Sequence, residues 1–239
     1  MKINLLGFLL TILIISNSCN QESMLFYPEK LPSDYKYTFN GIYYEYFIRV
    51  DKNTVLNGLL FKSNESKGLI FYLHGNAGSL DSWGNIAEFY TQCNYDFFIL
   101  DYRGYGKSEG RIKNEKQLYN DVQIVYDTIK KQYAENKIVI MGYSIGTGIA
   151  AQLAAKNNPG ILVLKAPYFN MSDLVHHYIK ILPSFFLRFK FKTNEFLPNV
   201  KAPVIIFHGD ADEVIYTGSS IKLSKLFKPS DKLNILPGQ

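Results

Sequence analysis

The sequence predicts an α/β domain whose mostly parallel sheet is covered by helices on both faces, and two observations carry that prediction. From Gly68 onward, short continuous apolar runs alternate with stretches of helical period, the pattern of strands buried on both sides. These runs end in loops of small and polar residues, and ligands of such sheets bind beyond the carboxyl ends of the strands. A chain of 239 residues with 47% hydrophobic content can bury one core of that size.

Composition narrows the function classes. The 26 Lys and Arg against 21 Asp and Glu leave a net charge of +5 that is scattered along the chain, which does not point to a nucleic-acid partner. The 18 Tyr and 17 Phe exceed what a core of this size needs, so some are expected to line a cleft or a lid. Cys19 and Cys93 lie in different regions and build no disulfide framework.

Residues 1–19 read as a signal peptide: Met1-Lys2, then an apolar run shorter than the roughly 20 residues that span a bilayer. Cys19 directly after Ser16-Asn17-Ser18 resembles a bacterial lipobox, with Ser16 where that pattern usually has Leu. The expectation is a lipoprotein leader with Cys19 as the lipidation site, and hence export to the cell envelope and a membrane contact. The alternative is an ordinary cleaved signal with an incidental cysteine.

Residues 20–36, with Pro28 and Pro32, read as a linker without regular structure that drapes onto the domain through Met24, Leu25, Phe26 and Tyr27. The domain is expected at 37–239. Residues 43–50 and 55–62, separated by Asp51-Lys52-Asn53-Thr54, predict an antiparallel hairpin at the sheet edge. Residues 68–73 form a buried strand that runs into His74-Gly75-Asn76-Ala77-Gly78. A loop of small residues after a strand lets backbone N–H groups face a reacting oxyanion, although by itself it is also an ordinary turn.

The stripe Trp83, Ile86, Ala87, Tyr90 predicts a helix over 81–91. The strand 97–100 ends in Asp101-Tyr102-Arg103-Gly104-Tyr105-Gly106-Lys107-Ser108-Glu109-Gly110, whose glycines fit no phosphate-binding pattern. Asp101 and Arg103 are expected to brace this loop. Asn114 and Gln117 form a capping box for a helix that runs to about Tyr133 with Leu118, Val122, Val125 and Ile129 inward.

The strand 138–141 breaks into Gly142-Tyr143-Ser144-Ile145-Gly146 and then a helical pattern at 149–155. That is a G-x-S-x-G nucleophile elbow in its strand, turn and helix context. Its glycines let strand and helix approach while straining the central residue. Ser144 is the expected nucleophile, with the N–H groups of Asn76 and Ile145 as oxyanion donors. A plain Gly/Ser turn is the alternative for the five residues taken alone.

In order, the motifs His74-Gly-Asn-Ala-Gly78, Asp101-Tyr-Arg-Gly-Tyr-Gly-Lys-Ser-Glu-Gly110, Gly142-Tyr-Ser-Ile-Gly146 and His208-Gly-Asp-Ala-Asp-Glu-Val-Ile215 resemble the α/β-hydrolase superfamily, specifically the Bem46-like (ABHD13-type) serine hydrolases. The resemblance covers residues 24–239. It implies an eight-stranded, mostly parallel sheet, a Ser-Asp-His triad and the cleavage of a carboxylic ester, amide or thioester through an acyl-enzyme on Ser144. It implies no metal and no organic cofactor.

Residues 171–199 interrupt the alternation and are the expected small helical lid. Phe185, Phe186, Leu187, Phe189 and Phe191 stand there beside Lys180, Arg188, Lys190 and Lys192, the mixture of an interfacial helix or of a cap packed on the domain. The strand 204–207 leads to the acid loop. By the resemblance Asp212 is the triad acid, with Asp210 as local competitor. A helix is expected at 221–227 and a last strand at 233–236.

No histidine follows Asp212. His74 and His208 lie at strand ends, where a structural role is expected, and His176 and His177 lie in the lid without a partner to orient them. The expectation is therefore a chain truncated before the catalytic histidine and the final helix, nearly inactive as it stands. The other function class is a lipid-anchored binding module that keeps the fold without catalysis.

Overall fold

The computed structural model describes residues 21–180 and 187–239. The leader with Cys19, the side chain of Met24, and Phe185 and Phe186 of the lid lie outside the described residues. Eight strands form one sheet: β1 Ile42–Asp51, β2 Thr54–Lys62, β3 Leu69–Leu73, β4 Asp96–Leu100, β5 Ile138–Tyr143, β6 Ile161–Lys165, β7 Val204–Gly209 and β8 Lys232–Leu236. Their spatial order is β8-β7-β6-β5-β3-β4-β2-β1. β1 pairs antiparallel with β2, and β2 with β4, whereas every other neighbouring pair is parallel. This is the expected mostly parallel sheet with its hairpin at one edge.

Side-chain alternation divides the core. Leu69, Phe71 and Leu73 of β3 point into one cluster with α4 (Glu115–Ile129) and α5 (Gly146–Lys156). Ile70 and Tyr72 point into the other, under α2 (Leu80–Trp83) and α3 (Ala87–Gln92). All five residues of β3 and of β4 are buried, which is why Leu69–Leu73 and residues 97–100 read as unbroken apolar runs, while Asp96 at the start of β4 is buried with Lys62 as its partner.

Local differences from the expected elements have local causes. The helix expected over 81–91 is two helices joined by a 3-10 turn at Gly84–Ile86. There the Phe39 ring occupies the place of a Gly84 side chain, so packing from 45 residues upstream shapes a helix whose own period is continuous. α4 stops at Ile129, and a 3-10 turn at Lys130–Gln132 takes the chain to Tyr133. Its start is half a capping box: Asn114 Oδ1 accepts from Gln117 N–H at 2.9 Å, but Gln117 Oε1 accepts from Lys113 N–H.

The linker carries more structure than its composition suggested. Residues Gln21–Leu25 form α1, and Tyr27–Pro28 pairs in parallel with Ala77–Gly78 of the loop after β3. Phe26 is buried against Phe189 and Phe191, at ring separations of 5.5 and 6.2 Å, while Tyr27 points outward instead of draping inward. The lid segment contributes α6 (Met171–Tyr178) and α7 (Thr193–Phe196). With Phe189 and Phe191 both buried, this limb packs on the domain as a cap.

Candidate active site

Ser144 stands where β5 turns into α5, with φ at +51°. That left-handed conformation strains any residue with a Cβ, and the surroundings enforce it. Ser144 N–H donates to Lys165 O at 3.0 Å, and Ser144 O accepts from the amide and the hydroxyl of Thr147 at 2.9 and 2.6 Å. A side chain at Gly142 would meet Gly146 O at 2.6 Å and Ala150 Cβ at 2.8 Å. One at Gly146 would overlap the carbonyl of Leu73 and crowd that of His74. The two elbow glycines are thus required by close backbone approach, and the second presses the elbow against the loop after β3.

That loop lies against the elbow, because β3 and β5 are neighbours in register from Leu69 opposite Ile138 to Leu73 opposite Gly142, and a side chain at Gly75 would meet the Tyr143 ring at 3.1 Å. The Asn76 carbonyl accepts from the Tyr105 hydroxyl and, at 3.3 Å, from Tyr27 N–H. Tyr168 donates to Ile145 O at 3.0 Å. Both expected donor residues are therefore held by tyrosines through their carbonyls. Among the described residues no acceptor takes the Asn76 or the Ile145 N–H. Neither Tyr105 nor Tyr168 was singled out in the sequence for this role; the only signal is that each sits in a loop directly after a strand.

Asp212 lies in the loop after β7, one strand beyond β6 from Ser144. Its Oδ1 accepts from Val214 N–H and Ile215 N–H, both at 2.9 Å. Its Oδ2 is 3.6 Å from His208 Nε2. His208 itself is buried and fully engaged, with Nε2–H donating to Ile215 O at 2.7 Å and Nδ1 at 2.6 Å from Ser220 Oγ. It shapes the acid loop and has no atom left for Ser144. Asp210 is turned to the chain end, accepting from Gly238 N–H at 2.7 Å.

The expected lid segment is fastened to this acid loop. The Tyr178 hydroxyl is shared between Glu213 O and Val214 O at 2.9 and 3.1 Å, and the His177 ring stacks on Tyr216 at 3.8 Å. His176 is exposed.

The loop after β4 is braced as expected. Arg103 is buried, donating to both carboxylate oxygens of Asp121 at 2.5 and 2.7 Å, to Asp51 at 2.7 Å and to Thr54 at 2.8 Å. The hydrogen bond from Arg103 holds the Asp51 carboxyl down to about 2, whereas burial raises that of Asp121. Asp101 is wholly buried, and its Oδ2 accepts from Leu80 N–H at 3.3 Å. Burial pushes its carboxyl up to about 8 and the His74 imidazole down to about 4. Among the described residues no group of His, Cys, Asp and Glu is arranged to hold a metal ion.

Comparison with known proteins places this geometry. Residues 64–201 match the family described as serine aminopeptidase, S33. The lysophosphatidylserine lipase ABHD12 of Danio rerio is 30% identical over 71% of this chain and 50% of its own length. The protein bem46 of Schizosaccharomyces pombe is 32% identical over 69% of the chain and 58% of its own length. The chain thus spans about half the length of the curated relatives it matches. An esterase of Pyrococcus furiosus superposes with a TM-score of 0.70 at 18% identity, covering 89% of both chains. The esterase Est1E of Butyrivibrio proteoclasticus, solved with ferulic acid, superposes at 0.64 with 23% identity over 81% of this chain and 90% of its own. The sheet order, the elbow and the matched family agree: the chain belongs to the serine aminopeptidase S33 hydrolases, as a Bem46-like α/β-hydrolase.

Proposed function

We propose that the protein is built for acyl transfer to Ser144, cleaving a carboxylic ester or a related amide or thioester. The strained conformation of Ser144 carries the reading, because strain of this kind at a strand-to-helix turn lifts the hydroxyl out of the sheet toward a reacting carbonyl. The unclaimed N–H groups of Asn76 and Ile145 support an oxyanion site. Asp212 keeps Oδ2 clear of the two amides that fix Oδ1, which suits it to orient an imidazole. An acyl ester of an amphiphile is the favoured substrate class, since the named lipase is among the relatives. Attachment through a lipid on Cys19 would hold the domain at the membrane from which such a substrate comes.

A second reading, a non-catalytic binding module, is favoured by one observation: both buried histidines have their Nδ1 or both ring nitrogens committed away from Ser144. Fluorophosphonate labelling separates the two. Neither buried histidine serves Ser144, so the label is applied with imidazole added as the base: labelling of the wild type that is lost in Ser144→Ala supports hydrolase chemistry, and equal labelling of both removes the acyl-transfer reading. Palmitate labelling that is the same in Cys19→Ser as in the wild type removes the lipid anchor.

A further inference from the structure

We propose that residues 26–31 form a strap that positions the loop after β3 for acyl transfer, with Tyr27 and Glu29 as its positioning residues. This role rests on the reading of Asn76 N–H as an oxyanion donor. Tyr27 N–H is shared between two oxygens of Asn76, the carbonyl at 3.3 Å and the side-chain Oδ1 at 3.2 Å. Two positions on, Glu29 N–H donates to Gly78 O at 3.0 Å, and the Glu29 carboxylate accepts from Ser79 Oγ at 3.0 Å. Pro28 stands between the two donors, so it stiffens the strap without removing either bond. Tyr105 and Trp83 hold the carbonyls of Asn76 and Ala77. The strap supplies what they leave, since among the described residues no other group donates to Asn76 Oδ1 or Gly78 O.

The same segment is fastened on its other side to the loop after β4. Gly106 N–H donates to Glu29 O at 2.7 Å, Leu31 N–H to Gly106 O at 3.1 Å and Lys30 Nζ to Ser108 O at 2.9 Å. Its first residue leads to the second expected donor. Phe26 is buried against Phe191 at 6.2 Å, Phe191 meets the Tyr168 ring at 6.3 Å, and the Tyr168 hydroxyl donates to Ile145 O. Two consecutive residues, Phe26 and Tyr27, thus reach the supports of both Ile145 and Asn76.

Burial does not account for the strap. Tyr27, Pro28, Glu29 and Lys30 are all exposed, so these residues add little to the core. What they supply is hydrogen bonds to two loops that follow strands, the place where such sheets bind their ligands. A loop with glycine at 75 and 78 has many accessible conformations, and an amide stabilises an oxyanion well only when it is held in place beforehand. Holding Asn76 O, Asn76 Oδ1 and Gly78 O restricts the backbone beyond Asn76 and leaves its N–H unclaimed.

Hydrogen exchange of the whole chain tests the strap without depending on Ser144. In the wild type the amides of Tyr27, Glu29 and Leu31 are expected to exchange at least about tenfold more slowly than those of Asp34 and Lys36, which have no acceptor among the described residues. Equal rates overturn the strap. Glu29→Pro removes the donor to Gly78 O, whereas Glu29→Ala keeps it and loses only the carboxylate. The amides of residues 75–79 should exchange about tenfold faster in Glu29→Pro, with β3 unchanged, and stay within about threefold in Glu29→Ala. Unchanged exchange of residues 75–79 in Glu29→Pro also overturns the strap. Fluorophosphonate labelling, with imidazole added as the base and followed to saturation, adds the functional arm. A donor that acts on the transition state alters the saturated rate and not the half-saturating concentration. The saturated rate should fall about tenfold in folded Glu29→Pro at unchanged half-saturation, and stay within about threefold in Glu29→Ala. A wild-type rate in folded Glu29→Pro, or an equal loss in Glu29→Ala, overturns the positioning role. A wild type that does not label removes the acyl-transfer reading and leaves exchange to decide whether the strap holds the loop.

Discussion

The pairing of His74 with Asp101 sets a specific pH profile for stability. In the folded chain the Asp101 carboxyl is raised to about 8 and the His74 imidazole lowered to about 4, both by burial. Between those values the pair holds one proton, on Asp101. In the unfolded chain the same groups titrate near 3.9 and 6.5. Between about pH 4 and 6.5 the unfolded pair also holds one proton, on the histidine, so its contribution is flat. Above pH 6.5 the unfolded histidine loses its proton while the folded pair keeps its own until about pH 8. The folded state then binds more protons, and stability falls by about 1.4 kcal/mol per pH unit, or roughly 2 kcal/mol in all.

For Asp101→Asn only His74 titrates, and its lowered folded value makes stability rise toward pH 6.5 and level off above it. Trp83 is the single tryptophan and stacks on His74, so its fluorescence in urea unfolding reports the site directly. Parallel pH profiles for the wild type and Asp101→Asn would refute the neutral-pair assignment.

Three further outcomes follow from the packing. Ser144→Gly relieves the left-handed strain and should lose less stability in urea than Ser144→Ala, with about 1 kcal/mol between them; equal midpoints would argue against strain at the elbow. Gly146→Ala sets a methyl into the carbonyls of Leu73 and His74 and should cost about 3 kcal/mol, where a change below about 0.5 kcal/mol would contradict the close approach. Arg103→Leu leaves Asp121 buried without its partner and should cost about 3 to 5 kcal/mol, much of it recovered in Arg103→Leu with Asp121→Asn. Non-recovery in that double variant, measured by thermal unfolding, would place the cost elsewhere.

Much of the fold was legible because its signals are local. β3 to β7 are unbroken or nearly unbroken apolar runs, and every loop that carries a candidate residue follows one of them. The elbow was legible for a steric reason, since Gly142 and Gly146 stand where the structure has room for no side chain. The linker was less so. Nothing in the composition of residues 20–36 says that Tyr27 and Glu29 donate backbone hydrogen bonds to Asn76 and Gly78, some 49 positions away. The break at Gly84 was equally hidden, because its cause is the ring of Phe39.

By itself the sequence determined the strand and helix order, the strained serine and the loops around it, because periodicity and glycine sterics act within a few residues. Only the tertiary structure decided what those loops are held by. The register of β3 against β5 sets the loop after β3 against the elbow, and Tyr105 and Tyr168 hold the carbonyls of Asn76 and Ile145, the two expected donor residues. His74 illustrates the division. Its type and place at the end of a strand are written in the chain, but its tautomer is set by the Gly75 carbonyl at Nδ1 and its weak basicity by burial, and burial is a property of the packed molecule.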